Sequence, residues 1–346
     1  MKPPRSVNEA PTLLPSLPPE GALGLARVRP SLPESLINAN PTTITCEKVT
    51  MKSVILVTGA STGIGRLTAL SLAAAGHVVY ASMRDLAGRN APHVRTLRDW
   101  AFAHGHDLRA VELDVLSQAS ADAAVATIVA EQGRLDVVVH NAGHLVIGPT
   151  EAYTPEEMTR VFDTNVFGAQ RVNKAALPVL RAQESGLLLW VSSTTTRGGY
   201  PPFMGPYAAA KAAMDSIAVT MSYELARFGV ETSIVVPGAF TAGTAHFPNA
   251  GKPADAAVMA AYARYDGLMD QVGARLSALM PADADPQAVA DEIARIVGLP
   301  AGTRPFRSVI DFLGDGAAQV TEVAERVRAE FARRIGIDDL LTISAR

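Results

Sequence analysis

From Ser53 onward, short apolar runs alternate with helix-forming stretches, and that alternation leaves few folds open to the chain. The runs occupy residues 54–57, 77–82, 108–113, 135–140, 187–191, 230–236 and 308–312. Residues 54–57 and 187–191 are continuously apolar, as strands covered on both faces are. Between them lie Ala- and Leu-rich helical stretches, with Ser117 placed to cap one and Thr154-Pro155-Glu156-Glu157 to start another. That second helix is expected to run, with or without a break, past Asn165 towards Arg181, with Pro178 kinking or shortening it. Strands linked through helices run parallel, so the expected fold is a doubly wound α/β sheet.

Residues 1–50 break the pattern. They carry nine prolines and no sustained apolar periodicity, too little to offset the entropy of ordering. A flexible proline-rich leader is expected there, and Met51 directly precedes the first strand. Prolines interrupt every apolar run in it, which argues against a signal peptide. The body is expected over 51–312, with a C-terminal helix and tail over 313–346. No stretch approaches the roughly 18 apolar residues of a membrane span. A net charge of −3 points to neither nucleic acid nor an anionic membrane surface. Cys46 is the single cysteine, which excludes an internal disulfide and a multi-cysteine metal site and fits a reducing cytoplasm. His104 and His106 lack a nearby carboxylate cluster, so no metal site is expected.

In such sheets, ligands sit beyond the carboxyl ends of the strands. The unusual residues of this chain fall there: the Gly59 loop, Arg84, Asp114, Asn141, Ser193 and Pro237. Gly59, Gly63 and Gly65 lie between a strand and a helix, with Ser61, Thr62 and Ile64 among them. Glycines there let backbone N–H groups and the helix N-terminus approach a pyrophosphate, so dinucleotide binding is expected. No Gly-Lys-Ser/Thr follows, which excludes a Walker loop. Arg84 follows the second strand, where arginine accommodates a ribose 2′-phosphate, so NADP(H) is favoured, with NAD(H) still open. Asp85 is read as a salt-bridge partner or a helix-starting residue. Tyr207 and Lys211 are four apart on one helix, about 6 Å along its axis. A fixed ammonium there is expected to lower the phenol's pKa and suit it to acid–base work.

Residues 58–65, Asn141-Ala142-Gly143, Asn165, Ser193, Tyr207-x-x-x-Lys211 and Pro237-Gly238 together resemble a short-chain dehydrogenase/reductase over about 52–245. Arg84 and the tail beyond Gly251 are similar to the hydroxysteroid- and retinol-dehydrogenase-like branch. The resemblance implies a Rossmann-type domain with Tyr207 as catalytic acid/base, Lys211 tuning it and holding the nicotinamide ribose, Ser193 orienting the substrate, and Asn165 anchoring a relay water. It implies that Asp114, with Val115 beside it, faces the adenine and that Asn141, Ala142 and Gly143 line the cofactor. Ser192 remains an alternative for the serine role. Thr241 and Thr244 remain alternatives for the nicotinamide amide. Phe240 is read as either nicotinamide cover or core.

A lid is expected over about 241–275, helical from about Ala254. Leu145, Val146, Tyr200, Phe203, Met204, Phe240 and Phe247 are the candidate lining, which suggests a hydrophobic carbonyl or alcohol substrate. The expected activity is reversible NADP(H)-linked hydride transfer, by a homodimer or homotetramer. The alternative is a non-enzymatic NADP-binding redox sensor on the same fold.

Overall fold

The computed structural model describes residues 52–240 and 243–343, so the expected leader and Thr241 lie outside the described residues. Seven strands, β1 (Val54–Val57), β2 (Val78–Met83), β3 (Leu108–Glu112), β4 (Val137–His140), β5 (Gly186–Val191), β6 (Val230–Pro237) and β7 (Arg307–Ile310), form one sheet. Its order is β3-β2-β1-β4-β5-β6-β7 and every pairing is parallel. This is the doubly wound, Rossmann-type order, and the strand sequence reverses between β1 and β4.

Register explains the two cores. Leu56 pairs with Tyr80 and Val138, and these residues share one face. There they meet α3 (Gln118–Gln132), α5 (Gly168–Gln183) and α6 (Gly205–Ala226). Ile55 pairs with Val79 and Val137 on the other face, under α1 (Gly63–Ala74), α2 (Ala91–His104) and α9 (Gln287–Val297). Successive residues point to opposite faces, so a continuous apolar run feeds both layers.

The helix starts read from sequence hold. Ser117 accepts from the Ser120 N–H, and Thr154 and Glu157 form a reciprocal capping box at α4 (Pro155–Phe162). Pro178 does not end or shorten its helix, because α5 continues to Gln183. Pro178 and Lys174 both lie on the exposed side, so water can satisfy the carbonyl that proline leaves without a donor. The break comes earlier, as a π-helical turn over Asp163–Phe167 that contains Asn165. His104 stacks on the Trp100 ring at 4.7 Å, and His106 lies tilted to it at 5.2 Å. No described helix is long and apolar enough to cross a membrane.

His140 closes β4 inside the core. Its Nε2 pairs with Asn173 Oδ1 at 2.8 Å and its ring lies 4.3 Å from that of Trp190. Burial pushes its pKa down to about 4. An unfolded chain would take up this proton near pH 6.5, whereas the folded one refuses it until about pH 4. Stability is therefore expected to fall as pH drops through that window. Urea midpoints should decline less steeply there in His140→Asn than in wild type, and equal slopes would remove His140 as the cause.

Candidate active site

The carboxyl ends of the strands open into one cleft of about 1060 Å³. At its floor, β1 turns into α1 through the glycine loop. Gly59 and Gly63 adopt φ of 66° and 54°, which disfavour any side chain. A Cβ on Gly65 would lie 2.3 Å from Asn141 Nδ2 and 2.4 Å from the Gly59 carbonyl oxygen, so this position requires glycine. Asn141 holds the loop from the β4 side, donating to the Thr58 and Gly59 carbonyls at 2.9 and 3.1 Å. Thr58 Oγ1 accepts from the N–H groups of Asn141 and Ala142 in return. Thr62 caps α1 without a side-chain hydrogen bond, and no acid stands in the first turn. The helix N-terminus is thus free to receive an anion.

Arg84 leaves the end of β2 on the cleft wall, beside Arg89 and His93. Asp85 neither pairs with Arg84 nor starts the helix. Its φ is 53°, and its carboxylate accepts from the N–H groups of Gly88 and Arg89, which builds the turn before α2. Asp114 and Val115 line the same end, with Asp114 Oδ1 accepting from the Leu116 N–H.

At the other end, Tyr207 stands on α6 against the end of β5. Lys211, one turn on, is buried and donates from Nζ to the Val191 carbonyl at 2.8 Å. Its ammonium lies 6.0 Å from the Tyr207 ring centre. The expected lowering of the phenol's pKa is not what this geometry produces. Burial pushes Tyr207 up to about 12, and a hydrogen bond with Ser193 opposes that rise only in part. Burial also pulls Lys211 down to about 8, against the Asp215 carboxylate. Desolvation dominates because both groups are buried.

Ser192 and Ser193 both line the cleft. Ser192 Oγ donates to Asp215 Oδ1 at 3.0 Å, whereas Ser193 Oγ accepts from Thr195 N and Oγ1. Asn165 does not line the cleft. Its amide bonds the N–H and carbonyl of His144 and the carbonyl of Val161, so it fixes the strand-end loop from behind. A Cβ on Gly143 would come within 2.8 Å of Asn165 Oδ1, which accounts for glycine there. Pro237, Gly238 and Phe240 line the cleft, and Phe240 also packs edge-on against Phe312. Thr244 lines the cleft as well.

The segment after β6 closes over this end. Gly251 bridges Val146, with its N–H donating to Leu145 and its carbonyl accepting from Ile147. Helices α7 (Ala256–Ala261) and α8 (Leu268–Leu279) follow, and Val272 and Leu276 of α8 face the cleft. Of the expected lining, Leu145, Tyr200, Met204, Phe240 and Phe247 are in place. Val146 is taken up by the bridge, and Phe203 packs on Tyr265 at 6.3 Å. Two of the lining histidines, His144 and His246, carried no sequence signal. His246 lies edge-on to Tyr207 at 5.7 Å, and burial with the nearby Lys211 charge pulls its pKa down to about 4. His144 stands next to Gly143 and is also lowered, chiefly by burial.

Such a cleft can hold an extended anionic ligand along the strand ends and deliver a proton from Tyr207 at one end. A family model described as short chain dehydrogenase matches residues 53–252. The chain is 35% identical over 190 residues to 3-ketodihydrosphingosine reductase of Bacteroides thetaiotaomicron, covering 55% of this chain and 65% of that protein. It is 36% identical over 188 residues to retinol dehydrogenase 8 of Homo sapiens, covering 53% and 58%, in line with the branch the sequence resembles. The matched region thus spans less than two thirds of either relative. Among solved structures, a variant of actinorhodin polyketide ketoreductase with NADPH is similar at a TM-score of 0.63 and 28% identity, covering 76% of this chain and 98% of that one. The chain belongs to the short-chain dehydrogenase family.

Proposed function

We propose that this protein is an oxidoreductase that reversibly interconverts a secondary alcohol and a ketone or aldehyde with NADP(H). The observation that carries this reading is the convergence of Tyr207, Ser193 and Lys211 on the wall of the cleft that the glycine loop enters. The cradle fits a dinucleotide: glycines stand where side chains would collide, and the N-terminus of α1 has no capping side chain. Gly59 to Gly65 would hold the pyrophosphate, and Asp114 and Val115 the adenine end. Asn141 to Gly143, Pro237, Gly238, Phe240 and either Thr241 or Thr244 would hold the nicotinamide end. Arg84, with Arg89 beside it, would meet a 2′-phosphate, and the structural relative solved with NADPH supports that preference.

When bound, NADPH supplies the hydride. Tyr207 supplies the proton. The phenol is protonated at neutral pH and so can donate to a carbonyl oxygen. Ser193 orients that oxygen, and Lys211, held by the Val191 carbonyl, keeps a positive charge near the phenol as it loses its proton. Asn165 fixes the His144 backbone beside them and, on this reading, anchors a relay water. Catalysis belongs to the body over 51–312, with about 241–275 as its lid. Leu145, Met204, Phe247, Val272 and Leu276 favour a hydrophobic substrate.

The test is a panel of steroid, retinoid, aliphatic and quinone carbonyls, followed by NADPH absorbance. Turnover of none would count against an oxidoreductase. Arg84→Ala is expected to weaken NADPH by about tenfold, the loss of one charge-assisted hydrogen bond, and NADH much less. Equal losses in fluorescence titrations would remove Arg84 as the discriminator.

A further inference from the structure

The C-terminal helix α10 (Ala317–Arg334) has two faces of different character. Its inner face is covered: Ala317, Thr321 and Ala332 are buried. Glu325 there pairs with Arg307 and Arg328, and Arg328 covers the Phe306 ring at 3.7 Å. Its outer face is not. Val320, Val323, Val327 and Phe331, with Ile335 just beyond the helix, are between 46% and 57% exposed and recur at helical spacing as one apolar stripe. Beside the stripe runs a second row, Glu322, Arg326, Glu330 and Arg334, each four residues from the next. None of these four forms a salt bridge among the described residues.

We propose that this face binds a second copy of the same chain, with the two α10 helices antiparallel. The charges of the row read minus, plus, minus, plus. Reversed against itself, that order sets Glu322 opposite Arg334 of the other copy and Arg326 opposite Glu330. An antiparallel pair brings like flanks together, so the row meets itself. A parallel pair would set it against the opposite flank. The register that matches the charges also places Val327 beside the two-fold axis and Val323 near Phe331 of the other copy. Apolar stripe and charged row therefore specify one arrangement together. A contact along about 27 Å of helix is at the small end of specific interfaces, so association should depend on concentration and weaken with salt.

Sedimentation velocity of the full chain over a range of concentrations tests this. Wild type should associate, and Val323→Glu/Val327→Glu should lose that step. Arg326→Glu and Glu330→Arg should each weaken it at least tenfold, and the double exchange Arg326→Glu/Glu330→Arg should recover it. Far-UV circular dichroism should be the same for all. In a Cys46→Ser background, Val327→Cys should crosslink two copies under mild oxidation and Val320→Cys should not, since antiparallel helices hold residue 320 far from its mate. An unchanged assembly in Val323→Glu/Val327→Glu, no recovery in the double exchange, or faster crosslinking through position 320 would overturn the proposal. So would a wild-type chain that stays monomeric but sediments with phosphatidylcholine vesicles, which would assign the stripe to a lipid surface.

Discussion

Tyr207→Phe is expected to lower NADPH-dependent carbonyl reduction by about 10²–10⁴-fold, the span that a positioned general acid contributes. The substitution removes one oxygen and little else. The phenyl ring can keep its edge contact with His246 and its place in the core beneath α6. Ser193 loses a hydrogen-bond partner but keeps those with Thr195. Folding and NADPH affinity should therefore stay close to wild type, the latter because the glycine loop and the Arg84 end lie elsewhere in the cleft. The effect should appear in kcat, with fluorescence titration showing cofactor binding intact. Activity within tenfold of wild type would mean that the proton comes from another group, and His246, whose ring lies edge-on at 5.7 Å, would be the next to replace.

The sheet was readable from the sequence because its strands are short, mostly apolar runs between turn and helix signals, and burial on both faces of the central ones leaves little latitude there. The gathering of the site was readable for the same reason, since parallel strands place their carboxyl ends along one edge. What the sequence concealed depends on burial and on distant partners. Four-residue spacing brings Lys211 beside Tyr207, but it does not reveal that desolvation outweighs the ammonium and raises the phenol's pKa. Asn165 was legible as a residue, yet the π-helical turn that hides its amide behind the His144 backbone has no local sequence mark. That Pro178 would not shorten its helix was hidden because propensity alone does not say which side of a helix faces water. His246 reaches Tyr207 only because the segment around it is pinned through Gly251 to the loop after β4, a tertiary contact with no periodicity to announce it.

Asp215→Ala is expected to destabilise the protein by about 3–5 kcal/mol, the cost of breaking a buried ion pair by removing one partner. Asp215 lies one turn beyond Lys211 on α6 and is 2% exposed. Its carboxylate accepts from Ser192 at 3.0 Å, from Arg197 at 2.7 Å and from two nitrogens of Arg307 on β7. The Arg307 side chain is itself 1% exposed, so without the carboxylate its charge cannot turn to water. Glu325 remains as a partner at 3.2 Å and moderates the loss without replacing two hydrogen bonds. A fall in melting temperature of roughly 10 °C should follow. Asp215→Asn separates charge from shape, because the amide can still accept one of the arginine hydrogen bonds. Asp215 is also the group that holds the Lys211 pKa up against burial. Losing its charge should move that pKa below about 8, and the alkaline fall in reduction rate should shift to lower pH with it. A melting temperature within two degrees of wild type in Asp215→Ala would show that the two arginines find other partners. An unmoved alkaline limb in Asp215→Asn would show that the Lys211 charge does not limit the reaction.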